Sequence, residues 1–381
     1  MSMKICFVVL KLDFFISHRL DLAKSLGNTH QIHLITNTNE ASIAEITTIK
    51  DLGISIYHLE GRSGSLNIFS YLRYAYSLHR IIANIAPNFV YYVTLEISTI
   101  GALLNNFMNI DKAFFLITGL EPFFFNPKLK FVFQRAIQKI FFLILRIKNN
   151  YLFIFQNSDD LEIFVAKKIV ARTQVALIRG NGINTEYFSY RHRDISSKFI
   201  FLFASRLTRA KGILEFTEAS KILSSQYPDV DFHIAGKYDH EDADTISKQD
   251  FKQIQTSNFV TYLGNLSSNE LKNCFYNSAV FVLPSHGEGL PKVALEAASS
   301  GMPVIVADAR GSRDCVINGQ NGFYTKIGDP QELSTVMEKF ILQKNLVNIF
   351  GKNSSELITK NFSLELISKE YLNAISNLKE Q

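Results

Sequence analysis

Short, nearly continuous apolar runs recur along this chain, each separated from the next by helix-length amphipathic material. KICFVVL (4–10), QIHLITN (31–37), ISIYHL (54–59), FVYYVT (89–94), KAFFLIT (112–118) and YLFIF (151–155) form a first series. The first of them leads into a helix predicted from about Ser17 to Leu26. The pattern then restarts with KFIFLFASR (198–206), VDFHIAG (230–236), FVTYLG (259–264), AVFVLPS (279–285) and MPVIVAD (302–308). Strands that alternate with helices imply βαβ units and a parallel sheet. The pattern predicts an α/β protein made of two Rossmann-like, doubly wound domains in tandem. The charged stretch YRHRDISSK (190–198) lies between the series and reads as the linker. The expected division is an N-terminal domain over 1–190 and a C-terminal domain over 191–361. A last helix over 362–381 is expected to pack back towards the first domain.

Length and composition agree with that picture. A chain of 381 residues with 47% hydrophobic content suits two domains, each with its own core. The cysteines, Cys6, Cys274 and Cys315, are widely spaced and form no C-x-x-C pair. They argue against a disulfide scaffold or a structural zinc site and fit a reducing compartment. The opening MSMKICFVVLKLDFF reads as a strand, since it lacks a charged n-region followed by a small-residue cleavage site. Residues 1–190 hold 19 Lys and Arg against 13 Asp and Glu, a net +6, and the remainder is −1. A mildly basic first half is compatible with an anionic membrane or with nucleotide phosphates, and decides nothing by itself.

Open α/β sheets bind ligands beyond the carboxyl ends of their strands, so loops that follow strands are the places to look. In FASRLTRAKGILEF, Arg206 ends a strand, and a helix is expected to start near Lys211 and Gly212. A guanidinium fork, a second cation and the N–H groups of a helix start together suit a pyrophosphate. Solvated surface cations flanking a helix start are the plain alternative. Gly236 directly follows the strand VDFHIA, where glycine permits a tight turn or the close approach of a ligand.

The richest loop is HGEGLPKVALE. Pro291 stands where the first helical residue is expected. The amides of Gly289 and Leu290 would then point out of a helix N-terminus. Glu288 precedes them, and Glu296 follows within the first two turns. Glu296 reads either as a solvated helix residue or as a ligand for hydroxyl groups. Glu288 reads either as an acid favoured by the helix dipole or as a second such ligand. A carboxylate can accept hydrogen bonds from both hydroxyls of a ribose, and a second acid can accept them from a sugar. Two acids flanking phosphate-binding amides would read both ends of a nucleotide-sugar.

These residues resemble those of the family-4 retaining glycosyltransferases of the GT-B fold, which include many bacterial polysaccharide and lipid-linked oligosaccharide enzymes. The E-x7-E element is Glu288 to Glu296, and the Arg…Lys-Gly element is Arg206, Lys211 and Gly212. GNGINTEYF (180–188) is similar to the family's interdomain segment, with Asn184 where Asp is more usual. GQNGFYTKIGDPQELSTVM (319–337) is similar to its late C-domain stretch. The resemblance is strong over 198–337 and looser in the first half. It implies that Glu296 holds the ribose, that Glu288 contacts the donor sugar, and that Arg206 and Lys211 neutralise the diphosphate without a metal. The resemblance also implies that the departing diphosphate oxygen deprotonates the acceptor on the same face. No cofactor is expected.

The first half departs from the family's pattern. Many members carry a His after the strand matching KAFFLIT, whereas this chain reads ITGLEPFFF, placing Gly119 there and Glu121 where a subgroup has Gly. The double glycine of many relatives' first loop is replaced by DFFISHRLDLAKSL, where His18 and Arg19 are placed to meet the acceptor or its phosphate, with simple packing or capping as the alternative for His18. The stretch 128–148, KLKFVFQRAIQKIFFLILRIK, carries Lys128, Lys130, Arg135, Lys139, Arg146 and Lys148 and no acid, among several Phe and Ile. It is too often interrupted by charge to supply the roughly 20 apolar residues of a spanning helix. It reads either as a core helix of the first domain or as a surface helix on an anionic membrane. The expected partners are a nucleotide-sugar donor, most simply UDP-linked, a lipid-linked or glycan acceptor, and an anionic membrane surface met through 128–148. No nucleic acid partner is expected. The expected location is cytoplasmic, on the inner face of the plasma membrane. A nucleotide-sugar epimerase of the same fold and a non-catalytic nucleotide-sugar-binding subunit are the rival readings.

Overall fold

The computed structural model describes residues 2–60, 68–105, 108, 110, 112–120, 151–194, 198–240, 242 and 244–377. The chain divides into two compact units, Met1–Gly182 with Leu364–Gln381, and Ile183–Ser363.

Unit 1 is built on a parallel sheet of β1 (Lys4–Lys11), β2 (Gln31–Asn37), β3 (Ser55–His58), β4 (Phe89–Val93), β5 (Lys112–Ile117), β6 (Tyr151–Phe155) and β7 (Val175–Leu177). Their order is β3-β2-β1-β4-β5-β6-β7. Period-two alternation sends Cys6 and Val8 into one core and Ile5, Phe7 and Val9 into the other. Both faces are covered, which is why these strands read as unbroken apolar runs rather than as alternating ones. The helix Leu364–Asn377 closes the second face with Ile367, Tyr371 and Ile375.

The single helix expected over Ser17–Leu26 is two. The chain turns helical at Leu12 directly after β1, and the helices Leu12–His18 and Leu20–Gly27 meet at Arg19, whose backbone (φ −125°, ψ −13°) leaves the helical region. The cause lies in the side chain. Arg19 is 1% exposed, and its Nη1 donates to the hydroxyl of Tyr371 at 3.2 Å.

Unit 2 repeats the plan with β8 (Phe199–Ala204), β9 (Val230–Ala235), β10 (Thr261–Gly264), β11 (Val280–Leu283), β12 (Val304–Ala307) and β13 (Gly322–Thr325), ordered β10-β9-β8-β11-β12-β13. In both sheets the order reverses at the first strand, between β1 and β4 and between β8 and β11. Loops leaving two such neighbours diverge to opposite faces and open a crevice at the carboxyl end.

The division of the chain falls earlier than residue 190. Ile183 and Phe188 are buried in the core of unit 2, and the Ile183 N–H donates to the carbonyl of Phe362 at 2.8 Å. The stretch read as a linker is partly interior. Arg193 is 4% exposed, and its guanidinium donates to the carbonyls of Ser278, Arg191, Ser300, Gly301 and Phe275 at 2.7–3.0 Å. It thereby caps the C-terminal ends of the helices Ser268–Asn277 and Lys292–Ser299. Burial lowers its pKa to about 10, against an opposing pull from Tyr190 and Tyr276.

Candidate active site

The predicted residues of the second half, Glu296 excepted, lie at carboxyl ends of unit 2 strands. Arg206 follows β8, Lys211 ends a 3-10 turn (Arg209–Lys211) in the same loop, and Gly236 follows β9. Glu288, Gly289 and Leu290 occupy the loop between β11 and the helix Lys292–Ser299, which carries Glu296. Pro291 caps that helix and is not its first residue.

Backbone geometry sets these loops close together. Gly212 is left-handed (φ +73°), and a Cβ there would come within 2.3 Å of the Pro284 carbonyl oxygen, so only glycine lets the β8 loop press against the β11 loop. At Gly236 a Cβ would lie 1.7 Å from the Ser205 carbonyl oxygen, so this glycine serves the packing of the β9 loop beside Arg206. The His286 N–H donates to the Ala210 carbonyl at 2.8 Å, and the Glu288 N–H to the Arg310 carbonyl at 2.9 Å.

Charge then meets across the crevice. Lys211 Nζ donates to both carboxylate oxygens of Glu288 at 2.6 Å, with side chains 19% and 10% exposed. The loops after β8 and β11 are thus joined by an ion pair at the point where strand order reverses. Glu296 is 13% exposed and lies 3.4 Å from Lys292 Nζ. That pair does little for its helix. Lys292 puts a cation at the N-terminus, against the dipole, and a Lys preceding a Glu by four is the weaker orientation. At that exposure Glu296 is not a solvated helix residue. Arg206 is more open: Nη1 donates to Asp242 at 2.6 Å, with the two side chains 64% and 27% exposed.

Several neighbours were not singled out from sequence. His286 sits inside the HGEG turn and bonds Glu215 at 2.7 Å. Asp244 accepts the Ala210 N–H at 3.0 Å. The loop after β12, with Arg310, holds Glu288 from the other side. A search of every loop following a strand would have reached Arg310; the His286–Glu215 and Lys211–Glu288 pairings depend on tertiary placement.

In unit 1, His18 ends its helix stacked on Phe14, ring centroids 4.4 Å apart, with Nδ1 2.7 Å from Ser17 Oγ. Arg19 is buried against Tyr371, so its side chain is part of the unit's core and the expectation that it meets an acceptor is corrected. Gly119 follows β5 with φ +148°, and the next amide, Leu120, donates to the buried Asp160 at 3.2 Å. Glu121 and the stretch 128–148 lie outside the described residues. Among the described residues, no helix is long and apolar enough to cross a membrane.

Two parallel-sheet α/β units in tandem, each with its strand order reversing at the first strand, are the architecture of the GT-B fold. The family described as "Glycosyl transferases group 1" matches residues 189–357. An Anabaena protein solved in complex with UDP-glucose superposes with a TM-score of 0.76 at 18% identity, covering 99% of this chain and 100% of that one. The chain is 25% identical over 336 residues to the N,N'-diacetylbacillosaminyl-diphospho-undecaprenol alpha-1,3-N-acetylgalactosaminyltransferase of Campylobacter jejuni, covering 85% of this chain and 86% of that one. It is 28% identical over 221 residues to the UDP-Gal:alpha-D-GlcNAc-diphosphoundecaprenol alpha-1,3-galactosyltransferase of Escherichia coli, a match that spans about half of each, 55%. Most of unit 2 is thus similar to the group 1 glycosyltransferases, and the chain is a glycosyltransferase of the GT-B fold.

Proposed function

We propose that this protein is a retaining transferase that moves a hexose or N-acetylhexosamine from a UDP-sugar to a lipid-linked, diphosphate-bearing glycan acceptor in surface polysaccharide assembly. The observation that carries the reading is the Lys211–Glu288 pair at the β8–β11 switch point. A cation held there by an acid is a charge waiting for a better anion. When the diphosphate arrives, Lys211 turns to it, and Glu288 is released to accept a hydroxyl of the transferred sugar. Arg206 joins Lys211 on the leaving group, exchanging Asp242 for phosphate. Glu296 accepts the ribose hydroxyls. Gly236 and the amides of Gly289 and Leu290 line the ligand's path.

In the transfer, the bond between the sugar's anomeric carbon and the diphosphate oxygen breaks, and a bond to the acceptor oxygen forms on the same face. The acceptor proton passes to the departing diphosphate oxygen. Negative charge grows on that diphosphate, so fixed cations beside it lower the barrier directly. Neither glutamate need act as a covalent nucleophile, in contrast with the paired carboxylates of a glycosidase. Unit 1 takes the acceptor, with His18, at the end of the helix that follows β1, and Gly119, just after β5, as the contacts. The names of the Campylobacter and Escherichia relatives support a diphospho-undecaprenol acceptor. Attachment to the inner face of the membrane through the basic, aromatic stretch 128–148 completes the proposal.

The test is incubation with UDP-sugars and an undecaprenyl-diphosphate-linked sugar, reading free UDP and the anomeric configuration of the product. Release of UDP only when acceptor is present, with retention, supports the reading. An isomerised UDP-sugar without acceptor identifies an epimerase, and tight UDP binding without turnover identifies a binding subunit. For the membrane part, liposome flotation is compared with a variant carrying Glu at Lys128, Lys130, Arg135 and Lys139. Equal flotation of both would return 128–148 to the core of unit 1.

A further inference from the structure

The two loops that converge at the unit 2 switch point are tied twice. One tie is Lys211 on both oxygens of Glu288. The other is His286, whose Nε2 lies 2.7 Å from Glu215 Oε1 while its backbone N–H donates to the Ala210 carbonyl at 2.8 Å. Glu215 stands in the first turn of the helix Ile213–Ser224, which the β8 loop feeds directly. The imidazole therefore reaches from the loop bearing Glu288 to the helix that follows Lys211. The ties differ in what a ligand does to them. On the donor-site reading above, the Lys211–Glu288 bond must open when a diphosphate binds. The His286–Glu215 bond uses none of those atoms and can persist through the exchange.

We propose that His286, through its bond to Glu215, is a positioning residue that keeps the Glu288 loop in register with Lys211 while the ligand replaces the ion pair between them. The inference rests on the donor-site reading for its ligand, but the clamp itself is a property of the empty protein. Five charged groups lie on the segments around the His286 turn. Glu215 bonds it from the Ile213 helix, and Asp244 adds negative charge from the segment after β9. Lys211 and Glu288 are bonded to each other beside it, and Arg310 Nη2 lies 3.5 Å from where a Cβ on Gly287 would stand.

The hydrogen bond to Glu215 is the largest influence on the imidazole and raises its pKa, against burial, with the charges of Glu215 and Asp244 adding to the rise. On Glu215, burial acts upward as the largest single influence, yet the His286 bond, its own backbone and the His286 charge together bring its pKa down. Both shifts favour the charged pair. Because the folded pKa of His286 lies above the free value of 6.5, the charge-assisted bond is fully present below that value and is lost as pH rises through the raised one.

UDP serves as the probe. Its Kd for the full-length protein is measured from about pH 5.5 to about pH 8.5, the range a histidine near neutrality spans, beside His286→Gln and Glu215→Gln. The ligand's own ionisation is common to all three and cancels in the ratio of variant to wild type. That ratio is expected to be about three- to tenfold at low pH, the size of one charge-assisted bond that is partly exposed, and to fall towards one at high pH. Hydrogen exchange over 284–290 in the ligand-free protein, corrected for intrinsic rates, is the second readout. Protection is expected to fall with rising pH in wild type and to be low and pH-independent in both variants. Equal protection in all three proteins overturns the clamp, whether or not UDP binds, and so does a UDP ratio that does not change with pH. If protection follows His286 but wild type binds no UDP at any pH, the clamp stands and the donor-site reading is the one that fails.

Discussion

Replacing Arg193 with Met removes a buried cation and keeps most of the side chain's apolar bulk. The wild-type guanidinium makes five hydrogen bonds to backbone carbonyls, at 2.7–3.0 Å. Ser300 keeps a donor in the variant, because the Arg191 N–H reaches its carbonyl at 3.2 Å. The carbonyls of Phe275, Ser278 and Gly301 lose their bond to the cation, as does that of the exposed Arg191, which water can serve. A buried polar group stripped of its partner costs about 1–3 kcal/mol, which puts the gross loss for three at roughly 3–9 kcal/mol. Set against it is relief from holding a charge in the interior. The depression of the Arg193 pKa from 12.5 to about 10 is worth roughly 3 kcal/mol at 1.36 kcal/mol per unit. The net expectation is a loss of about 3 kcal/mol. For a unit of roughly 180 residues (183–363) this lowers the melting temperature by about 6–12 °C. Arg193→Lys keeps the charge but not the fork, and should fall between the two. Calorimetry of the full chain, following the transition that UDP shifts, measures it. A Met variant melting within about 2 °C of wild type would refute the assignment of Arg193 as the cap of two helices.

Gly212→Ala should destabilise unit 2 by at least about 2 kcal/mol, from the left-handed backbone and the contact with Pro284, and should weaken UDP binding in the same protein; urea midpoints and calorimetric titration read both. Glu296→Ala should raise the Kd for UDP, while Glu288→Ala should chiefly lower turnover, a split that steady-state kinetics resolves; near-normal values in both would return the acids to ordinary helix and loop roles. Arg206→Ala and Lys211→Ala should each slow transfer about tenfold or more by uncovering charge on the leaving group, and a chelator should leave the wild-type rate largely intact.

Much of the fold was legible because a parallel sheet covered on both faces writes each central strand as an apolar run, as KICFVVL and FVYYV do. The strands that escaped notice were edge strands, β7 of only three residues and β13, whose GFYT is half-buried and holds no aliphatic run. The helix break at Arg19 was not legible, since its partner Tyr371 is 352 residues away. Arg193 was misplaced for a related reason: a cation among polar residues reads as solvated, and the carbonyls that hold it belong to distant helix ends. The candidate site was readable residue by residue, because strand ends and glycines mark loops. Its pairings were not. Lys211 and Glu288 are 77 residues apart and His286 and Glu215 are 71, and nothing in the local pattern of either announces the other.

The most direct test of the donor site is a crystal structure of the full chain with UDP. The account predicts the diphosphate at the β8–β11 switch point within hydrogen-bond distance of Lys211 Nζ and the Arg206 guanidinium, with the Lys211–Glu288 bond opened and the ribose hydroxyls on Glu296. UDP bound elsewhere, or bound there with Lys211 still on both oxygens of Glu288, would contradict it.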